Sequence, residues 1–188
     1  VARVFLVLVA AWLVACTPTF DWREVNSTEG GYRVALPGKP QAVTREIELP
    51  FVAGDRKVAM TMTSAGAGPT MFAVGVARLP ADATRDAAAV QSVLAWFRAG
   101  LLRNVGADGA RDDDAPPALA GGRTLRGAIA FEARGRLARA GGAAQPARLA
   151  ARIYVVDDWL YQVVAMGAAD DLPDAAVETF FTSFRLTP

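Results

Sequence analysis

The sequence predicts an α+β fold, an antiparallel β-sheet with helices packed on it, preceded by an N-terminal signal helix. Three observations predict it. Short runs alternating between apolar and polar residues recur between Gly/Pro turns, as half-buried strands require. Two later stretches switch to a 3.6-residue apolar period, the pattern of a helix lying on a core. Residues 4–15 are an unbroken apolar run behind Arg3. The 188 residues are one domain's worth of chain, and no internal repeat at a solenoid period interrupts them.

The first strand runs from Gly31 to Leu36, with Tyr32, Val34 and Leu36 on one side. Pro37-Gly38-Lys39-Pro40 is turn chemistry. Val43 to Phe51 sets Val43, Ile47 and Leu49 against Thr44, Glu46 and Glu48. Arg56 to Thr63 groups Val58, Met60 and Met62. After Ala65-Gly66-Ala67-Gly68-Pro69, Thr70 to Leu79 groups Phe72, Val74 and Val76. Four strands so joined read as an antiparallel meander.

From Asp86 to Val105 the apolar residues Val90, Val93, Leu94, Phe97, Leu101 and Val105 keep helical spacing. Thr84 is the expected N-cap and Gly106 the expected stop. Asp108 to Gly122 reads as a loop carrying Asp112-Asp113-Asp114 ahead of Pro116-Pro117. Strands resume at Arg123 to Glu132, with Leu125, Ile129 and Phe131 on one face. Leu149 to Val156 and Trp159 to Met166 flank Asp157-Asp158 as a hairpin. Asp171 to Phe184 reads as a helix with Pro173 in its first turn and Val177, Phe180, Phe181 and Phe184 on its buried face.

Composition excludes much chemistry. The chain has no histidine and a single cysteine, Cys16. It therefore has no Ser-His-Asp or Cys-His arrangement and no imidazole acid or base, and no disulfide within the chain. Twenty basic side chains face nineteen acidic ones, a balance unlike the concentrated basic surface of nucleic-acid binders.

The apolar run is too short for a comfortable transmembrane helix, which needs about 20 residues. A basic flank and an apolar region of this length suit a secretory signal instead. Its last residues, Leu13-Val14-Ala15-Cys16, resemble a bacterial lipobox. That resemblance implies a signal peptide over 1–15, recognised through Leu13, Val14 and Ala15 and cleaved before Cys16. It also implies acylation of the Cys16 thiol, so that the protein's first partner is a membrane, held through lipid. Residues 16–30 then form a lipidated tether and 31–188 a single domain. Thr17-Pro18, with no aspartate after the cysteine, implies the outer membrane, facing the periplasm. Trp22 in the tether suits either the membrane interface or the surface of the first strand.

Tyr32-x-Val34-x-Leu36-Pro37-Gly38-Lys39-Pro40, the strand end Tyr161-Gln162-Val163-Val164 and the closing Phe180-Phe181-Thr182-Ser183-Phe184-Arg185-Leu186 resemble small bacterial envelope proteins of the PsbP-like superfamily. That family is an α/β/α sandwich around an antiparallel sheet. The resemblance implies an accessory or binding role, no catalytic residues and no cofactor.

Arg134, Arg136, Arg139, Arg148 and Arg152 are the nearest thing to a basic patch. They suit contact with an acidic envelope partner or anionic headgroups, or charges that guard strand edges against aggregation. Asp112-Asp113-Asp114 lacks the glycine and distal glutamate of an EF-hand loop and reads as solvated loop, with no metal expected. Glu46 and Glu48 read as a solvated strand face. A second reading of the whole chain is a carrier holding an apolar ligand between helix and sheet, lined by Met60, Met62, Phe97, Phe180 and Phe181. The first is a non-catalytic, lipid-anchored module that binds another envelope component.

Overall fold

The protein is built on a seven-stranded antiparallel sheet. The structure, a computed structural model, describes residues 19–50, 56–113, 122–139 and 142–187. Leu13, Val14, Ala15 and Cys16, the signal helix, Asp114, Pro116 and Pro117 lie outside the described residues. In chain order the elements are β1 (Trp22–Ser27), β2 (Tyr32–Pro37), β3 (Gln41–Leu49), β4 (Arg56–Ala67), β5 (Thr70–Arg78), the short helix α1 (Ala81–Thr84), α2 (Ala87–Asn104) and β6 (Arg111–Asp112). Then follow β7 (Leu125–Arg139), β8 (Gly142–Val156), β9 (Trp159–Ala168), a 3₁₀ turn (Ala169–Asp171), α3 (Asp174–Ser183) and β10 (Arg185–Leu186).

The large sheet has the order β3-β4-β5-β9-β8-β7-β6, and β1-β2-β10 form a separate three-stranded sheet. Side chains alternate between the faces of a strand, and the central strands are apolar on both. Leu149, Ala151, Ile153 and Val155 of β8 enter one core, while Ala150, Tyr154 and Val156 enter the other. Helix α2 covers the first face, burying Val90, Val93, Leu94, Phe97 and Leu101. The second face is covered by α3 and the small sheet together, through Phe180, Phe181, Tyr32, Val34 and Leu36. Helices therefore lie on both faces as expected, but one outer layer is part helix and part sheet.

The cap of α2 differs from expectation. Asp86, not Thr84, is the N-cap: its carboxylate accepts from the Ala89 N–H at 2.8 Å. Thr84 instead ends α1 and spends its hydroxyl on the Ala81 carbonyl. At the other end Gly106, at φ 57°, closes a Schellman motif. The Ala107 N–H donates to the Leu102 carbonyl and the Gly106 N–H to Arg103.

Three further expectations are corrected. The first strand leaves the meander: β2 pairs with β1 and β10, and only β3-β4-β5 are consecutive neighbours in the large sheet. Six residues of the tether stretch, 22–27, form β1, because Trp22 stacks on Phe20 and both meet the edge of the Phe72 ring. Trp22 thus packs on the domain. Finally, two residues of the 108–122 loop form β6, pairing Arg111 with Glu132 and Asp112 with Phe131. Asp112 is tied to α2 by its ion pair with Arg98 at 2.7 Å.

Candidate functional site

The layer formed by α3 and the small sheet meets β4, β5 and β9 and stops short of the β6–β7 edge. The strip of β7 and β8 beside α3 lies at the floor of a groove of about 630 Å³. Its depth has a sequence cause. Ala130 and Ala150, both buried, lie where large side chains would otherwise fill the space.

One wall is α3, which presents Asp174, Val177, Glu178, Phe181 and Thr182 at helical spacing, extended by Asp170 of the 3₁₀ turn. The opposite side is β6 and β7, with Arg111, Asp113, Glu132 and Arg134, while Arg148 and Arg152 rise from β8. Register explains this gathering. Arg134 stands directly across from Arg148, Ala130 across from Arg152, and Arg111 across from Glu132, so all these side chains leave the same face of the sheet.

Arg148 is already spent. Its side chain is only 16% exposed; it donates to Glu132 at 2.9 Å, to Asp174 and to the Leu172 carbonyl. Burial pulls its pKa down, but the bonds to Asp174 and Glu132 outweigh that and leave it above the ordinary arginine value. Arg152 is half-buried and lies over the Phe181 ring, 4.4 Å from its centroid, a cation–π contact that orders the guanidinium. Beside it, burial pushes the Tyr154 hydroxyl up against the opposing pull of Arg152. Arg111, Arg134 and Arg152 form no salt bridge among the described residues.

Of the five arginines singled out in sequence, Arg134, Arg148 and Arg152 line the groove. Arg136 turns away to donate to the Ala144 carbonyl, and Arg139 closes β7 opposite Gly142. Sequence reasoning missed Arg111 and the acidic wall. The signal was available in the i, i+4 spacing of Asp174, Glu178 and Thr182, which places them on one side of a helix.

The carrier lining does not assemble. Met60, Met62 and Phe97 belong to the α2 side of the sheet and Phe180 and Phe181 to the α3 side, so the sheet itself separates them. Glu46 and Glu48 are exposed and each lies 3.9 Å from Lys57. Among the described residues no cluster of three or more His, Cys, Asp or Glu side chains could hold a metal ion. A second groove, of about 440 Å³, lies between the β1–β2 turn and β3–β4, where the Thr44 and Thr61 hydroxyls bond each other at 2.9 Å. Comparison with protein-family models and with curated proteins finds no match to this chain.

Proposed function

We propose that this chain is a lipid-anchored protein of the bacterial envelope, and that its domain is a non-catalytic docking module for another envelope component. Cys16, acylated after cleavage behind Leu13-Val14-Ala15, is the anchor, in the outer membrane with the domain facing the periplasm. A chain free of histidine, whose one thiol carries lipid, is suited to contact rather than turnover. The antiparallel sheet with helices on both faces is also the layout that a place in the PsbP-like superfamily implies.

The observation that carries the reading is the short path from anchor to groove. Phe20 is the fourth residue after Cys16, and four extended residues span at most about 14 Å. From Phe20 a chain of ring contacts through Phe72, Phe180 and Phe181, none longer than 6.1 Å, ends beneath Arg152. This path keeps Arg152 within about 35 Å of the proposed anchor, a reach that supports contact with a neighbouring envelope component. Two or three acyl chains, at about 0.8 kcal/mol per buried methylene, hold such a domain on the membrane.

Two measurements test this. Cys16→Ala should abolish incorporation of labelled palmitate and displace the protein from the membrane fraction; lipid label persisting on that variant overturns the anchoring. A photocrosslinking residue at Thr182, on the groove wall, should give a discrete protein adduct in intact membranes, and the same residue at exposed Glu24 on β1 should not. Equal adducts at both positions overturn the docking reading.

A further inference from the structure

We propose that the groove receives an extended polypeptide segment whose side chains alternate in charge, acidic toward β6–β7 and basic toward α3; this rests on the docking reading above. Arg148 is engaged by both Glu132 and Asp174, and that triad keeps one net negative charge. What remains is a groove with two signs. Arg111, Arg134 and Arg152 lie on the strand side, with Asp113 among them, and Asp170 and Glu178 lie on the helix side.

The acidic wall decides the class of occupant. An anionic membrane surface or a nucleic acid would bring negative charge against Asp170 and Glu178 as well as toward the arginines. A polypeptide carries both signs on one backbone, and an extended one sends successive side chains to opposite sides. Arg152 is held over Phe181, and a guanidinium is the group best suited to bidentate contact with a carboxylate.

The test uses the full, acylated chain in lipid nanodiscs and fluorescently labelled peptides of about nine residues, about 30 Å in extended form. One peptide alternates Glu and Lys, one has the same composition in two blocks, and one alternates Glu with Ala. Vesicles containing phosphatidylglycerol are the fourth probe. The alternating Glu-Lys peptide should bind best, and Arg134→Glu and Glu178→Lys should each weaken it about tenfold, or 1.4 kcal/mol. Both residues are exposed, and thermal melts unchanged from the parent verify that the variants fold.

Preference for the Glu-Ala peptide or the vesicles, tighter binding by Glu178→Lys, equal binding of the blocked peptide, or no binding of any peptide overturns the proposal. The photocrosslink at Thr182 separates the two levels. If Glu178→Lys strengthens that adduct, docking stands and the two-sign assignment falls; if no adduct forms at all, the docking reading falls with it.

Discussion

The two faces of the large sheet are made by the same strands, residue by alternate residue, yet they are finished differently. On one face a single 18-residue helix, α2, runs over β7 and β8 and is fixed at both ends, by the Asp86 cap and the Schellman motif at Gly106. On the other, ten-residue α3 and a three-stranded sheet share the work. The groove beside α3 is lined by four arginines, whereas the one beside Trp96 of α2 is lined by Glu46, Glu48 and Lys57. The contrast shows how a protein without histidine gathers charged side chains in a groove. Among the described residues part of a sheet face is left uncovered, alanine floors the gap, and strand register brings charges there.

The largest effects should come from emptying either core. Phe97→Ala on the α2 face and Phe180→Ala on the α3 face should each cost about 3–5 kcal/mol, the usual penalty for removing a buried phenyl ring, measured by urea unfolding. Their consequences for the groove should differ. Phe180 touches Phe181, on which Arg152 rests, so its loss should also alter peptide binding in folded protein. Phe97→Ala should leave binding intact. Equal effects on binding would mean that the two faces are not independent.

Gly135→Ala should follow, at about 1–3 kcal/mol, as expected for forcing volume into a packed site. A methyl group there would stand 1.9 Å from the Val105 carbonyl oxygen at the end of α2. That same oxygen accepts the Arg136 N–H at 2.7 Å, so β7 and the helix end must part. An unchanged midpoint would show that the α2 face is less rigidly closed than its contacts imply.

Much of this architecture was legible in the sequence because it rests on local periodicity. The 3.6-residue spacing of Val90 to Leu101 gave α2, and alternation gave β2, β4, β5, β8 and β9. What periodicity does not encode is partnership. Tyr32, Val34 and Leu36 alternate in any sheet, so nothing local tells β2 to join β1 and β10. Val43 and Leu49 share one side of β3, yet Val43 is 50% exposed and Leu49 is buried, because the covering core does not extend to the β3 end near Val43. The groove was half visible for the same reason: the arginines could be counted, but their meeting with Asp174 and Glu178 depends on where α3 docks.

A smaller effect belongs to the turn that joins β8 to β9. Arg123 donates to Asp157 at 2.9 Å and to the Tyr161 hydroxyl at 2.6 Å. The bond from Arg123 holds the Asp157 carboxyl below the ordinary aspartate range. A carboxylate with a lowered folded pKa stabilises the fold above its unfolded value, about 3.9, and loses that contribution as pH falls through the folded value. Melting temperatures should therefore fall between neutral pH and pH 3 by more in the parent than in Asp157→Asn. Because the Asp157 side chain is 41% exposed, solvent screening keeps the difference to a few degrees. Identical pH profiles would mean that Asp157 is paired equally well in the unfolded chain.

The smallest effect is expected where the sheet has neither layer over it. Val43, opposite Met62 on edge strand β3, is half exposed, so Val43→Thr removes little buried apolar area and keeps a β-branched side chain suited to the strand. The change in stability should stay within about 0.5 kcal/mol, as for most surface substitutions. Val58→Thr, on the neighbouring strand, in the core on the α2 side of the sheet and 8% exposed, makes the same chemical change under cover and should cost more, since its hydroxyl must give up water. The pair measures the difference between covered and uncovered sheet at constant shape. Equal costs in urea unfolding would mean that the β3 margin is itself buried in solution, by a second copy or a bound partner, and a concentration-dependent midpoint would distinguish the copy.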